Sequence, residues 1–475
     1  MSSAHHVAKS DRIPLLQKVA FGAGGCTDFF ATGLAIGVLW MPYFNIGLGL
    51  NPAKLGLVLM VFQIWNAVMD PVMGNLSDNL RTPWGRRRPM IFAGAVLTAA
   101  VYPWIWRPPT EWGETGMILY LVAVGLVFYS CFSCWAMPYY GLQLELTPNY
   151  DERTRLAAWM TFFSKISGLL GGWAMAIVAG PWFTDVATGK PDIVAGMKTC
   201  SWFVAGLILI FGLLPALFVK ERYYESETKN QARDPFWQSI RESARCRPLW
   251  LLIGLSFFLV VGTFSVNSIG QYVNIYYVCH GDLAKASIIT GWKGSVLVAV
   301  GILCIPLYTW LGERYDKKSV VQWMLGLSMF GHGLNYFLMT PQHPYLQIIP
   351  GIFESCAIAA VWLFVPSMKA DVADYDELQT SRRREGALNA FYSWFIKAAL
   401  ACSMGLGGFV LSVSGFDAKR TGDQPPEVLG SMLLLFVALP LLIWACGMAF
   451  IMVYPLNRSR MAEMRSQLEA RRGAI

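Results

Sequence analysis

Seven ionisable side chains lie inside long apolar stretches of this sequence: Asp28, Asp70, Lys165, Lys293, His332, Glu354 and Lys397. In a hydrocarbon environment each costs a few kcal/mol or more, and such groups persist where they face a polar cavity or pair with one another. They are therefore candidates for binding and coupling. A carboxylate can accept hydrogen bonds from hydroxyls, hold a cation, or carry a proton when burial raises its pKa. An ammonium group binds carboxylates well where water is excluded.

Depth follows from the helical rise of 1.5 Å per residue. Asp28 lies roughly 15 Å beyond Lys18, Lys165 roughly 15 Å beyond Arg155, Asp70 about 12 Å from Asp78, and Lys397 about 20 Å from Arg384. Two acids and two bases thus converge at one level. Lys165 and Lys397 suit an anionic solute, with structural ion pairs as the alternative; Glu354 is either a partner for Lys165 or a second proton site. Lys293, nearer the outer mouth, is expected to snorkel. His332, in a Gly-His-Gly run, reads as a hydrogen-bonded core histidine or as part of a proton relay.

These residues need helices to carry them. Of 475 residues 55% are hydrophobic and 14% charged, against about 25% charged in soluble domains. A bilayer core of about 30 Å needs about 20 apolar residues per crossing. Twelve runs qualify: about 17–46, 53–77, 89–107, 114–144, 156–182, 197–219, 247–277, 283–311, 319–340, 343–368, 385–415 and 427–455. The expected fold is an all-α membrane protein of six plus six helices, with halves 1–219 and 247–475 joined by a cytoplasmic linker, 220–246. Within the linker, PFWQSIRESAR has the pattern of a short surface helix. The first run carries Asp28 and exceeds a signal-peptide core, so it should remain as helix one.

Most of the 38 Lys and Arg fall in alternate loops and at the two ends. By the positive-inside rule both termini are cytoplasmic, so the net charge of +8 encodes topology rather than nucleic-acid binding. The cysteines show neither metal-ligand spacing nor a disulfide framework, although Cys200 and Cys279 fall in loops placed outside and could pair. No metal-ligand pair, nucleophile elbow or phosphate loop is present, so an enzyme is not expected.

The most specific segment is DPVMGNLSDNLRTPWGRRRP, residues 70–89. Gly74 permits close helix approach, Asp78 ends its helix near Arg86, Arg87 and Arg88, and Pro83 with Gly85 forces a turn. A charged latch between the halves is one reading, and a solvated basic loop the other. LGERYDKK at 311–318 echoes this segment at the same place in the second half, as transporter repeats do.

Together with MPYYGLQLELTPNYDERTRL (137–156) and ADVADYDELQTSRRREGALNAFYSWFIK (370–397), this segment resembles, in family order, the glycoside–pentoside–hexuronide:cation symporters of the major facilitator superfamily, whose best-known member is the melibiose permease. The resemblance implies a major facilitator fold that takes up a sugar or glycoside, possibly a hexuronide, with Na⁺, Li⁺ or H⁺ by alternating access. It places Asp28 on sugar hydroxyls, Asp70 at the coupling cation, and Lys397 at the cavity. It makes the acids and arginines Asp371, Asp374, Glu377, Arg382, Arg383 and Arg384 part of a cytoplasmic gate with the 78–88 cluster.

Departures from the family pattern are informative. Asn66 and Met69 stand where the family has a second cation-site Asp and an Asn, Ala136 replaces a sugar-and-cation Asp, Tyr140 a stacking Trp, and Thr161 a sugar-binding Arg. Asn66, Asp70 and Ser133 can still offer three oxygens to Na⁺, while a single carboxylate is the minimum for a proton; H⁺ is favoured slightly. Trp65, Trp135, Tyr139, Tyr140 and Trp362 are candidates to stack on a sugar ring. No cofactor besides the coupling ion is expected, the inner membrane is the expected site, and a monomer should suffice. Because several sugar-binding groups are lost, a lysolipid or other amphiphile is the alternative cargo.

Overall fold

The computed structural model describes residues 12–146, 150–185, 189, 191–221, 244–380, 385–417, 420 and 424–472. Every extended element among them is a helix. Eleven helices are long and apolar enough to cross a bilayer. They fall into two compact units, Met1–Ala232 and Arg233–Ile475.

In the first unit the helices are α1 (Leu15–Leu39), α2 (Pro52–Asn79), α3 (Arg88–Ile105), α4 (Gly113–Glu145), α5 (Tyr150–Val178) and α6 (Ile193–Phe218). Their starts are written locally. Asn51 accepts the amides of Ala53 and Lys54 at 2.9 and 3.2 Å before Pro52 at the first turn of α2, and Asp192 accepts that of Ala195 at the start of α6; both supply partners for orphan helix-end donors. Directly after Asp28, α1 widens into i→i+5 turns over Phe29–Gly33 and Ala35–Leu39, a distortion often found at functional positions.

Helices in lipid gain little from burying apolar surface against each other, so close van der Waals approach decides their pairing. Gly22 of α1 lies against the Trp159 backbone of α5, where a Cβ would come within 3.0 Å. One turn on, the Cys26 thiol donates to the Phe163 carbonyl at 3.8 Å, across a separation of 137 residues. Both contacts share that offset, so α1 and α5 run in parallel register, with Lys165 level with Asp28.

At the base of this pair, Glu152 is fully buried. It accepts the Ile13 amide at 3.0 Å and pairs with Lys18 at 2.7 Å and Arg155 at 2.8 Å. It precedes the apolar span of α5, which begins at Arg155. Burial alone would raise its pKa, but the bonds from Lys18, the Ile13 amide and Arg155 outweigh that and hold it below the ordinary glutamate value. A depressed carboxyl adds stability above its unfolded pKa and loses it as pH falls through the folded one. Glu152→Gln should therefore cost about 3 kcal/mol near neutrality. In thermal unfolding of the detergent-solubilised protein the gap from wild type should close below about pH 4.

The second unit holds α7 (Arg247–Tyr272), α8 (Leu283–Leu303), α9 (Ile305–Arg314), α10 (Lys317–Gly333) and α11 (Asn335–Leu338). Then follow α12 (Pro344–Thr380), α13 (Glu385–Val413), α14 (Pro426–Met452) and the polar α15 (Arg458–Arg472). Three expectations are corrected here. The single run 283–311 is broken at Cys304, with Pro306 in the first turn of α9, where its missing N–H costs nothing. The run 319–340 is α10, whose 17 residues leave it outside the eleven spans, continued by α11 beyond Leu334. The acids Asp371, Asp374 and Glu377 ride on α12, which continues to Thr380, rather than on a loop. The surface helix expected at 235–245 falls, over 235–243, outside the described residues. Cys200 lies within α6 and Cys279 at the end of the wide turns Val273–Val278 that follow α7, and both are free thiols, so that pairing is not made.

Candidate functional site

Asp28 is the last α-helical residue before the wide turns of α1. Its Oδ2 accepts the Tyr140 hydroxyl at 2.6 Å, from α4, and its Oδ1 accepts the Thr32 hydroxyl at 3.2 Å. Among the described residues no cation meets it, so an ion pair with a lysine is not its role in this unit. Tyr140 is 37% exposed, leaving a polar carboxylate–phenol pair open on one side. Thr32, four residues from Asp28 on the same helix, is a member of this site that the motifs did not single out.

Lys165 is half-buried at the same level of α5 and makes neither a hydrogen bond nor an ion pair among the described residues. A free ammonium at that depth is costly. Its helix neighbours Phe162, Ile166 and Leu170 are exposed. Thr161, by contrast, spends its hydroxyl on the Ala157 carbonyl at 2.9 Å.

On α2 and α4 a second polar cluster forms. Ser133 is fully buried, and its Oγ lies 2.9 Å from both Asn66 Oδ1 and Asp70 Oδ1. Asn66 and Asp70 are one turn apart, so they share a face, and Asp70 is 9% exposed. One hydroxyl carries one proton, yet it spans two acceptor oxygens. With the Asn66 oxygen turned to Ser133, the cluster is completed by a proton on Asp70, donated to Ser133 Oγ, or by a cation among the three oxygens.

The aromatic candidates separate by burial. Trp135 and Tyr139 are 0% and 1% exposed. Trp135 Nε1 donates to the Gly212 carbonyl at 3.1 Å, and the Tyr139 hydroxyl to the Phe21 carbonyl at 2.8 Å. Tyr139 is stacked between Phe21 and Trp135. These two rings are core, which corrects their reading as sugar-stacking residues. Trp65 donates to Ser130 Oγ at 2.9 Å and to the Leu126 carbonyl.

The arginine cluster is tied down inside the first unit. Glu221 Oε1 accepts the backbone amides of Arg87 and Arg88 at 2.8 and 3.1 Å, and Oε2 that of Arg86 at 3.0 Å. A carboxylate thus caps the start of α3, where the helix dipole favours negative charge. Gly85 is required beside it: its φ is +109°, and a Cβ would fall 2.5 Å from Glu221 Oε1. The Arg88 side chain donates to the Ala216 and Leu217 carbonyls at the end of α6, and the Arg87 guanidinium occupies the space over Gly141. The Asp78 side chain is outside the described set.

In the second unit, Lys317 donates to both oxygens of Asp371 at 2.9 and 2.8 Å. Asp374 also has partners; residues 382–384 lie outside the described residues. Trp362 sits on a wide turn of α12, Ala360–Phe364, with its ring 67% exposed. Lys397 of α13 is engaged rather than bare. Lys293 does not snorkel but pairs with Glu354 at 3.3 Å. That contact, with His332, also occupies Glu354 within its own unit and removes it as the partner of Lys165.

A bundle of apolar helices carrying buried, hydrogen-bonded charges near mid-span is the architecture of a multi-pass membrane transporter. The family described as MFS/sugar transport protein matches residues 20–458, and the chain belongs to it. The matches to its relatives run along most of both lengths. An uncharacterized symporter of Synechocystis sp. is 26% identical over 97% of this chain and 98% of its own. A sodium-dependent lysophosphatidylcholine symporter of Danio rerio is also 26% identical, covering 95% and 88%. A putative glycoside/cation symporter of Escherichia coli is 24% identical, covering 98% and 96%. Among solved structures, a bacterial homologue of the human lysosomal transporter Spinster, inward-facing, superposes with a TM-score of 0.65 at 13% identity, over 96% and 99% of the two chains. That likeness establishes the major facilitator fold.

Proposed function

We propose that this chain is a cation-coupled symporter of the cell's inner membrane, with both termini cytoplasmic, carrying a hydroxylated, negatively charged solute of the hexuronide class. The observation that carries coupling is the cluster of Asn66, Asp70 and Ser133, whose single hydroxyl bridges two acceptor oxygens at 2.9 Å. A proton on Asp70 completes it, so H⁺ is the preferred ion and Na⁺ the alternative. Asp28 with Tyr140 receives hydroxyls, Lys165, which has no partner among the described residues, receives the negative charge, and Trp362 and Lys397 are the second unit's own candidates for binding. Alternating access then opens Asp70 to each side in turn. Asp78, Arg86, Arg87, Arg88, Asp371, Asp374 and Arg383 form the cytoplasmic gate, and the monomer is the working unit.

A second reading has its own support. Phe162, Ile166 and Leu170 are exposed around Lys165, a setting that suits the phosphate and acyl chain of a lysolipid, and a relative is named for lysophosphatidylcholine symport.

Thermal unfolding of the purified full chain separates the two. A ligand that binds only the folded protein raises its stability by about 2.7 kcal/mol at a hundred times its Kd. Methyl glucuronide should raise the midpoint more than methyl glucoside, and lysophosphatidylcholine should not. Stabilisation by the lysolipid alone would replace the sugar reading with the amphiphile one.

A further inference from the structure

A buried charge cluster in the second unit stands apart from the residues given roles in the proposed function. His332, fully buried at the end of α10, places Nε2 2.9 Å from the Phe436 carbonyl of α14 and Nδ1 2.9 Å from Glu354 Oε1 of α12. Asn335 of α11 donates to the same Glu354 oxygen at 3.1 Å, and Lys293 of α8 lies 3.3 Å from the other. Two glycines allow this. A Cβ on Gly331 would come within 2.1 Å of Phe353 Cβ, so α10 and α12 meet directly there, and the Lys293 stem lies 3.3 Å from where a Gly351 Cβ would be.

The donor count sets the protonation. A carbonyl only accepts, so Nε2 of His332 carries a hydrogen. Glu354 faces two fixed donors, Asn335 on Oε1 and the Lys293 ammonium on Oε2, which hold it as a carboxylate. A carboxylate only accepts, so the 2.9 Å contact from Nδ1 to Oε1 is a hydrogen bond with a hydrogen on Nδ1 as well. We infer that His332 and Glu354 form a reversible proton-binding site in the second half of the transporter, occupied as an imidazolium–carboxylate pair in this structure. When Nδ1 gives up its proton, its lone pair faces a carboxylate oxygen at 2.9 Å and the Asn335 amide at 3.2 Å, so α10 and α12 lose their direct His332–Glu354 bond and only Asn335 links the two side chains. Occupancy thus decides how tightly five helices are clasped.

Lys293 makes the site reversible. With the proton on, the cluster holds two cations and one anion; with it off, the Lys293–Glu354 pair is neutral. The elements packed around the imidazole each present one group: α8 Lys293, α12 Glu354, α11 Asn335, and α14 the Phe436 carbonyl with the rings of Phe436 and Trp444. No further titratable group faces the ring among the described residues.

The chain's other histidines are His5, His6, His280 and His343. The first two are near the terminus and the last two are exposed; His280 has a φ of +50°, a conformation asparagine tolerates. A full-length variant with all four changed to Asn keeps His332 as its only histidine. ¹⁵N-histidine spectra of this variant in micelles, from about pH 5 to 9, should show the doubly protonated form converting to the neutral one. Glu354→Gln should lower the midpoint by about one pH unit or more, and Lys293→Met should raise it, because one removes an attractive charge and the other a repulsive one. A single neutral tautomer across the whole range overturns the proposal. So does a midpoint that neither substitution moves. Should either substitution prevent folding, the titration of the single-histidine protein decides alone.

Discussion

Asp70→Asn should abolish concentrative uptake and leave substrate exchange measurable. Asparagine keeps the shape and one acceptor oxygen, so Ser133 can still donate to it. It removes the group that carries the coupling ion, and with it the drive of that ion's gradient. An anionic solute moving with one H⁺ carries no net charge, so accumulation follows the pH gradient, about tenfold, or about 1.4 kcal/mol, for each pH unit. In proteoliposomes that factor should fall to equilibration with no gradient response, while counterflow persists. Undiminished gradient-driven accumulation would remove Asp70 from the coupling step. Repeating the wild-type assay with a pH gradient alone and then a Na⁺ gradient alone names the ion.

Lys165→Ala should separate substrates by charge. The ammonium makes no bond among the described residues, so its removal leaves no orphaned partner and the helix should be unharmed. A hydrogen bond to a charged group contributes about 1.5–3 kcal/mol, so an acidic glycoside should lose about ten- to a hundred-fold in half-saturating concentration. Its neutral counterpart should shift by less than about threefold. Equal losses for both would dismiss the anionic-sugar assignment. A loss confined to lysophosphatidylcholine transport would move Lys165 to the second reading.

Much of this architecture was legible because span length is a hard constraint: a run of apolar residues either reaches across the bilayer or does not. The breaks were not. Pro306 ends α8 early, but a proline inside a spanning helix is often tolerated, as Pro71 of α2 is, so composition alone does not mark the stop. Partner choice was also hidden. Lys293 and Glu354 are far apart in sequence, and only the close packing at Gly331 and Gly351 shows that they meet. Thr32 could have been found, since it stands four residues from Asp28 and therefore on the same face. Glu221 could not, because nothing local announces that a residue beyond α6 will cap α3. The aromatic candidates turned on one step of about 100° around a helix: Tyr139 points into the core, and Tyr140 reaches Asp28.

The wide turns that follow Asp28 have a consequence for how this helix tolerates change. Each surplus residue in such a turn advances everything downstream by about 100°. Excising one residue between positions 29 and 39 would return one of the two wide turns to ordinary winding but swing Trp40, Tyr43 and Phe44 off the aromatic nest they share with Trp106. The carboxylate below would keep its place. A change of length in this segment would thus be a dial that re-aims the far end of the first helix while sparing its start.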